Sequence, residues 1–320
     1  MRLRTLRVLG ALCATLLVMT GCASSGGDPL AEPSAPAASE GASGGASEDA
    51  AGGGESITVG SVDFNENVIL AHIYAGALES EGMTVTVEER LGNREAVVPL
   101  IERGDIDVLP EYSGALLAFL ADREIKSTDP QVVVDMLREE TQGQDFTVLE
   151  ASEAQDVDVL VVTRETAEAN DLQVVSDLEG VADQLVIGGP AELETRPNGL
   201  PGYEREYGLQ FSEFRTTDAA GPVTIESLLN GDIDVARLFS TQAIIEAEDL
   251  VVLEEDVPLQ LPQQVIPLVS TSVQDQVTDA LNQVSSELTT EDLTAMNDAF
   301  ENDKEDAEDI AAQWLSDHGF

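Results

Sequence analysis

The sequence predicts an α/β fold made of two similar lobes. Three observations carry this reading. Short β-rich runs alternate with helical patterns from residue 57 onward, a five-residue motif recurs at a fixed offset, and residues 23–55 lack the apolar content to join a core.

The chain opens with Arg2, Arg4 and Arg7, followed by an apolar run over residues 8–19. That run is too short to span a bilayer well and has the shape of a secretory leader. It ends in Met19-Thr20-Gly21-Cys22, and small residues directly before a Cys resemble the bacterial lipobox. Residues 1–21 are therefore expected to be removed. Cys22 is expected to be lipidated, holding the protein on the outer face of the cell membrane. Cys13 leaves with the leader, so no internal disulfide is expected. Residues 22–55 are nearly all Ala, Gly, Ser, Pro, Asp and Glu, with Leu30 the one large apolar side chain. Such a segment cannot bury enough surface to offset its ordering entropy. It reads as a tether with a reach of about 30 Å.

The body, residues 56–320, suits one large or two modest domains. A strand is expected at 57–59. A helix follows over 65–81, with apolar stacks Ile69/Ile73/Ala77 and Leu70/Tyr74/Leu78. A strand at 83–88, a helix at 96–103 and a strand at 106–109 complete a βαβαβ rhythm that argues for a parallel, doubly wound sheet. Further strands are expected at 159–162, 185–187, 233–235, 251–253 and 265–269. Helical patterns over 273–288, 291–298 and 305–316 end the chain. No later stretch is long and apolar enough for a transmembrane helix.

Gly104-Asp105-Ile106-Asp107-Val108 recurs as Gly231-Asp232-Ile233-Asp234-Val235, 127 residues on. A helical pattern precedes each copy, so each Gly suits a helix C-terminus. At the same offset Tyr112-Ser113 meets Phe239-Ser240. Both pairs lie just past the carboxyl end of an expected parallel strand, the edge at which open α/β sheets bind ligands. Each lobe is thus expected to present one aromatic side chain to a shared cleft.

Composition excludes several classes. The chain carries 62 acidic against 15 basic residues, which disfavours nucleic acid as a partner. The acidity suits a strongly solvated surface in high salt. His72 and His318 are the two histidines, so no His/Cys zinc set and no Ser-His-Asp arrangement is expected, nor any cofactor or enzymatic activity. His72 and Trp314 fall in helical patterns and read as structural.

The opening Ile57-Thr58-Val59-Gly60-Ser61-Val62-Asp63-Phe64-Asn65-Glu66-Asn67 and the segment from Gly104 to Pro110-Glu111-Tyr112-Ser113-Gly114 resemble the substrate-binding proteins of ABC-type glycine betaine/choline osmoprotectant importers. So do Arg196-Pro197-Asn198-Gly199-Leu200-Pro201-Gly202, Tyr207-Gly208-Leu209, Phe239-Ser240-Thr241, and the ending from Leu288-Thr289-Thr290-Glu291 to Trp314-Leu315. The resemblance covers residues 56–320. It implies a two-lobed periplasmic-binding-protein fold of type II, with residues 56–155 and 264–320 in lobe one and 156–263 in lobe two, joined by two hinge crossings. It also implies a monomer that hands a small solute to permease and ATPase subunits.

In that family aromatic residues from both lobes cage a trimethylammonium group, which offers no hydrogen-bond donor and is held by cation–π attraction. Tyr112 and Phe239 match two cage positions. Phe64 and Asn67 join the candidate set through the opening loop. Asp158 and Gln263 stand where the family often has Tyr, so the cage is thinned and Asp158 becomes a candidate counter-ion. Arg196 matches an arginine associated with a ligand carboxylate, and Arg94 stands where Thr is frequent. For both arginines a structural ion pair is the competing reading, and for Tyr203 it is packing. The changes leave open a different polar or zwitterionic solute, or a sensing lipoprotein without a transport role.

Overall fold

The computed structural model describes residues 56–121, 123 and 125–320; the expected leader, Cys22 and tether lie outside the described residues. Among the described residues ten strands form two five-stranded sheets. The first contains β1 (Ile57–Gly60), β2 (Val85–Glu88), β3 (Val108–Tyr112), β4 (Phe146–Val148) and β10 (Val265–Ser270). The second contains β5 (Asp158–Val162), β6 (Val186–Gly189), β7 (Glu213–Thr216), β8 (Val235–Phe239) and β9 (Val251–Leu253).

The two sheets have one plan. Their orders are β2-β1-β3-β10-β4 and β7-β6-β8-β5-β9. In each, the first three strands are parallel, while the fourth (β10 or β5) runs antiparallel to both neighbours. The sheets are therefore mixed, not wholly parallel as the βαβ rhythm suggested. Periodicity identifies a strand but not its direction. The antiparallel strand of each sheet is the first that the chain enters after leaving the other sheet. The two passages lie side by side: Gln155 and Gln264 form an isolated antiparallel bridge, and the Val265 amide donates to the Ala154 carbonyl at 3.0 Å.

Side chains alternate between the faces of each strand, and each face owns a core. On β10, Val265 and Val269 pack with the long helix α1 (Asn65–Ser80) and the C-terminal helices, while Ile266 and Leu268 pack on the opposite face. On β5, Leu160 and Val162 face one core of the second sheet and Val161 the other. Helix α1 buries eleven of its sixteen residues between the first sheet and the C-terminal helices, of which Ala307–His318 comes so close that a Cβ at Gly76 would strike Leu315. Trp314 is buried in that packing and stacks on His318 at 4.2 Å. His72 bonds Glu89 at 2.8 Å, and Tyr203 is buried in the second half. No helix among the described residues is long and apolar enough to cross a membrane.

The sequence repeat is a structural repeat at the level of individual bonds. Asp107 donates its amide to the Thr58 carbonyl and accepts the Thr58 amide on Oδ2, both at 2.8 Å. Asp234 makes the same pair of bonds with Val186, again at 2.8 Å. Gly104 follows the helix α2 (Arg94–Arg103) at φ 72°, and Gly231 sits at φ 74°, the left-handed conformation that spares glycine a Cβ clash. A Cβ at Gly60 would strike Ile106, and one at Gly188 would strike Ile233.

Candidate ligand-binding site

β3 and β8 end where the two sheets approach each other, and the residues at those ends line a cavity of about 690 Å³. That volume falls within the usual range for small-molecule sites. Tyr112, the last residue of β3, and Phe239, the last of β8, both line it. Phe64, just before α1, lies between them: its ring centroid is 5.8 Å from Tyr112 and 4.8 Å from Phe239. The cavity thus has an aromatic wall of three rings drawn from both sheets.

The strand ends are held by matching bonds to the two passages. The Ser113 amide donates to the Gln264 carbonyl at 2.9 Å, and the Gln264 amide donates to Ser113 Oγ at 3.1 Å. Ser240 repeats this with Val157, both at 2.9 Å. Each aromatic residue is therefore placed by the serine that follows it.

Behind the rings lies a set of buried acids. Glu66, in the first turn of α1, accepts from the Tyr112 hydroxyl at 2.6 Å, the Thr241 hydroxyl at 2.6 Å and Asn297 Nδ2 at 2.7 Å. Asp156 accepts from the Ser240 hydroxyl and the Thr241 amide, each at 3.2 Å. Burial pushes the Glu66 carboxyl upward despite its three donors. Asp156 is pushed well above the ordinary carboxylate range by burial first and then by the neighbouring charges of Glu66 and Asp158. Burial likewise raises Glu301, which takes a bond from Gln242 Nε2 at 3.0 Å.

The arginines tell a different story. Arg94 grips Glu111 with three bonds of 2.8 to 3.1 Å, and the two side chains are 11% and 1% exposed. Burial works against the Arg94 charge, but Glu111 outweighs it and holds the guanidinium above its usual value. Arg196 forms a two-bond pair with Glu95 at 2.9 and 3.1 Å. Asp158 is paired with Arg237, whose guanidinium carbon lies over the Phe239 ring, 5.6 Å from its centroid. Arg237 and Phe239 share a sheet face, and Asp158 is in register opposite Phe239 on β5, so the three side chains meet by strand geometry alone.

A family model described as the substrate binding domain of the ABC-type glycine betaine transport system, OpuAC, matches residues 55–317. The chain belongs to that family. It is 24% identical over 277 residues to the glycine betaine-binding protein YehZ of Escherichia coli, covering 82% of this chain and 91% of that one. It is 22% identical over 276 residues to the carnitine transport binding protein OpuCC of Listeria monocytogenes, covering 83% and 88%. Its fold is similar to a solved glycine betaine/carnitine/choline ABC transporter protein, with a TM-score of 0.65 at 22% identity over 82% of this chain and 98% of the other. It is also similar to a choline-binding protein solved with choline, with a TM-score of 0.59 at 14% identity, covering 82% and 88%.

In this OpuAC-family chain the structure brings Phe64, Arg94, Tyr112, Asp158, Arg196, Phe239 and Gln263 to one cavity. Asn67 stands apart. Its Oδ1 accepts the Val62 amide at 2.8 Å and its Nδ2 donates to the Pro110 carbonyl at 2.9 Å, so it pins the loop that carries Phe64. Gln263 is buried and accepts the Ala115 amide on Oε1 at 2.9 Å. Asp158 is not a free counter-ion, because Arg237 already holds it. Sequence reasoning missed Arg237, Glu66, Asp156 and Glu301. Arg237 was accessible through the two-residue period back from Phe239, and Glu66 through its place beside Asn67 in the family loop. Glu301 carried no local signal. Among the described residues no group of three His, Cys, Asp or Glu side chains is placed to hold a metal ion.

Proposed function

We propose that this chain is the extracytoplasmic solute-binding subunit of an ABC importer. It captures a quaternary-ammonium or related compatible solute of the glycine betaine, choline or carnitine type and hands it to the permease. The observation that carries this reading is the three-ring wall of Tyr112, Phe64 and Phe239, contributed by both sheets and backed by buried carboxylates. Aromatic faces and nearby negative charge are what an ammonium group without donors requires. The cavity binds solute; it performs no reaction. Residues 56–155 with 264–320 form one lobe and 156–263 the other, closing over the solute about the paired passages near Gln155 and Gln264. The protein acts as a monomer, anchored by lipid on Cys22 through the 22–55 tether.

Calorimetry with glycine betaine, choline, carnitine and neutral amino acids tests the cavity. Each ring face contributes about 0.5–2 kcal/mol to a bound cation, so Tyr112→Ala or Phe239→Ala should weaken binding roughly 3- to 30-fold. Unchanged affinity in both variants would remove the aromatic cage from the reading. For the anchor, Cys22→Ser should move the protein out of the membrane fraction; a variant that still needs detergent for extraction contradicts lipidation.

A second reading, a more polar solute in the same cavity, is favoured by the ion pairs that occupy every arginine described above.

A further inference from the structure

The three rings of the wall sit on three separate segments of the chain, and a single carboxylate touches or adjoins all of them. Phe64 immediately precedes α1, and Glu66 stands two residues further on, in the first turn of that helix. Glu66 Oε1 accepts the Tyr112 hydroxyl at 2.6 Å. Its Oε2 accepts, also at 2.6 Å, the hydroxyl of Thr241, two residues past Phe239. Asn297, on the helix Thr290–Asp298, braces the second contact. Its Nδ2 donates to Glu66 Oε2 at 2.7 Å, to Thr241 Oγ1 at 3.1 Å and to the Thr241 carbonyl at 3.3 Å. Glu66, Tyr112, Thr241 and Asn297 are all buried, and all four border the cavity.

The Tyr112 hydroxyl is taken up inside the protein, so the side chain offers the cavity its ring. Burial, and then the negative charges of Glu66 and Asp156, push that hydroxyl well above its ordinary value, and it stays a donor. The two oxygens of one rigid carboxylate also fix how the end of β3 in the first sheet stands against the end of β8 in the second. Phe64 lies between the other two rings at 5.8 and 4.8 Å, so a shift of either strand end opens the wall. A cation feels such a shift directly, because its attraction to a ring acts within about 6 Å of the centroid.

We infer that Glu66 is a positioning residue for solute binding: it joins Tyr112 to Thr241 across the two sheets and so sets the spacing of the Phe64, Tyr112 and Phe239 rings. The inference rests on the cavity being the solute site, as proposed above. Glu66 acts through the rings and needs no contact with the solute. Both of its hydroxyl bonds are required, since either one alone leaves the ring of one sheet free to move.

Titration calorimetry with tetramethylammonium and glycine betaine tests this. Tetramethylammonium carries no hydrogen-bonding group, so it cannot bond to a wall hydroxyl and responds to the loss of one through the placement of the rings. Thr241→Val and Tyr112→Phe each delete one hydroxyl bond to Glu66 and keep the outline of the side chain. Each should weaken tetramethylammonium binding roughly 3- to 10-fold. The double variant should be at most about twofold weaker than the weaker single variant, because cutting one tie already releases the wall. Thr241→Ser, which retains the hydroxyl, should recover most of the loss. A purely structural role for the network predicts a lower melting temperature of the empty protein with tetramethylammonium affinity intact. That result, a loss confined to glycine betaine, or losses that multiply in the double variant would overturn the inference and leave the solute site in place. Failure of the wild-type protein to bind either probe overturns the site itself, and the inference with it. The two variants cut the network at different points, so either one carries the test if the other does not fold.

Discussion

Asp158 lies in register with Phe239 on the neighbouring strand, and its carboxylate is held by Arg237. Read without that partner, Asp158 is a counter-ion for a bound cation, and its loss should weaken cation binding alone. With Arg237 in place the consequence changes. The pair is about nine-tenths buried on both sides, so removing one charge strands the other. Asp158→Asn should lower the stability of the empty protein by about 3–5 kcal/mol, the usual cost of breaking a buried pair. It should also improve binding of a carboxylate-bearing solute, because Arg237 becomes available. The double variant Asp158→Leu/Arg237→Met should recover most of the lost stability, since well-packed apolar residues replace buried pairs at little cost. Thermal melting of the three variants checks this; an unchanged melting temperature for Asp158→Asn would show that water reaches the pair. Arg94 belongs to the same class: the alternative of a structural ion pair describes its contacts with Glu111.

At the scale of elements, the repeat at Gly104 and Gly231 was legible because it is written in consecutive residues. Each copy needs a left-handed glycine, a buried Ile against a close-packed glycine on the neighbouring strand, and an Asp that reaches back to that strand. Those requirements are local, so the same five residues answer them twice. The matching roles of Ser113 and Ser240 were foreshadowed by the same offset, but their partners, Gln264 and Val157, lie on the two passages and could not be read from either motif. β4 and β7 were missed for a physical reason. β4 alternates Phe146-Thr147-Val148 but is too short at three residues to establish a period, and β7 reads Glu213-Phe214-Arg215-Thr216 with its polar side chains exposed and carries no apolar period. Both are outer strands of their sheets, and β7 leaves three of its four side chains exposed there. The antiparallel direction of β5 and β10 was equally hidden, because it follows from where the chain changes sheets.

For the molecule as a whole, the buried acids make stability depend on pH. The Glu66 and Asp156 carboxyls sit above their ordinary values because burial penalises their charged forms. Between the unfolded and the raised folded values the folded protein holds more protons than the unfolded chain, so stability falls as pH rises through that window. The empty protein should therefore melt at progressively lower temperature as pH climbs above about 4.5, where Glu66 would titrate in an unfolded chain. Self-repulsion in a chain of net charge −47 acts in the same direction. Glu66→Gln separates the two effects, because it removes one buried acid and leaves the surface charge nearly unchanged. The variant should show a shallower decline over the same range. Equal slopes would assign the whole pH dependence to surface charge. Exposed carboxylates with downward shifts, such as Asp249, oppose this trend only weakly, because solvent screens them.

The amino-acid sequence by itself determined the α/β class, most of the strands and long helices, the repeat, and the two strand ends that carry Tyr112 and Phe239. These follow from side-chain period and from glycine and aspartate placement, which act over a few neighbouring residues. The tertiary structure alone decided which charges meet. Arg237 and Asp158 are 79 residues apart, Glu66 and Thr241 are 175 apart, and Glu66 and Asn297 are 231 apart. In a sequence with 62 acidic residues each arginine has many conceivable partners. Only the pairing of β5 with β8 and the approach of α1 to the second sheet select among them, and that selection decides that Asp158 meets Arg237 and that Glu66 meets Thr241 and Asn297.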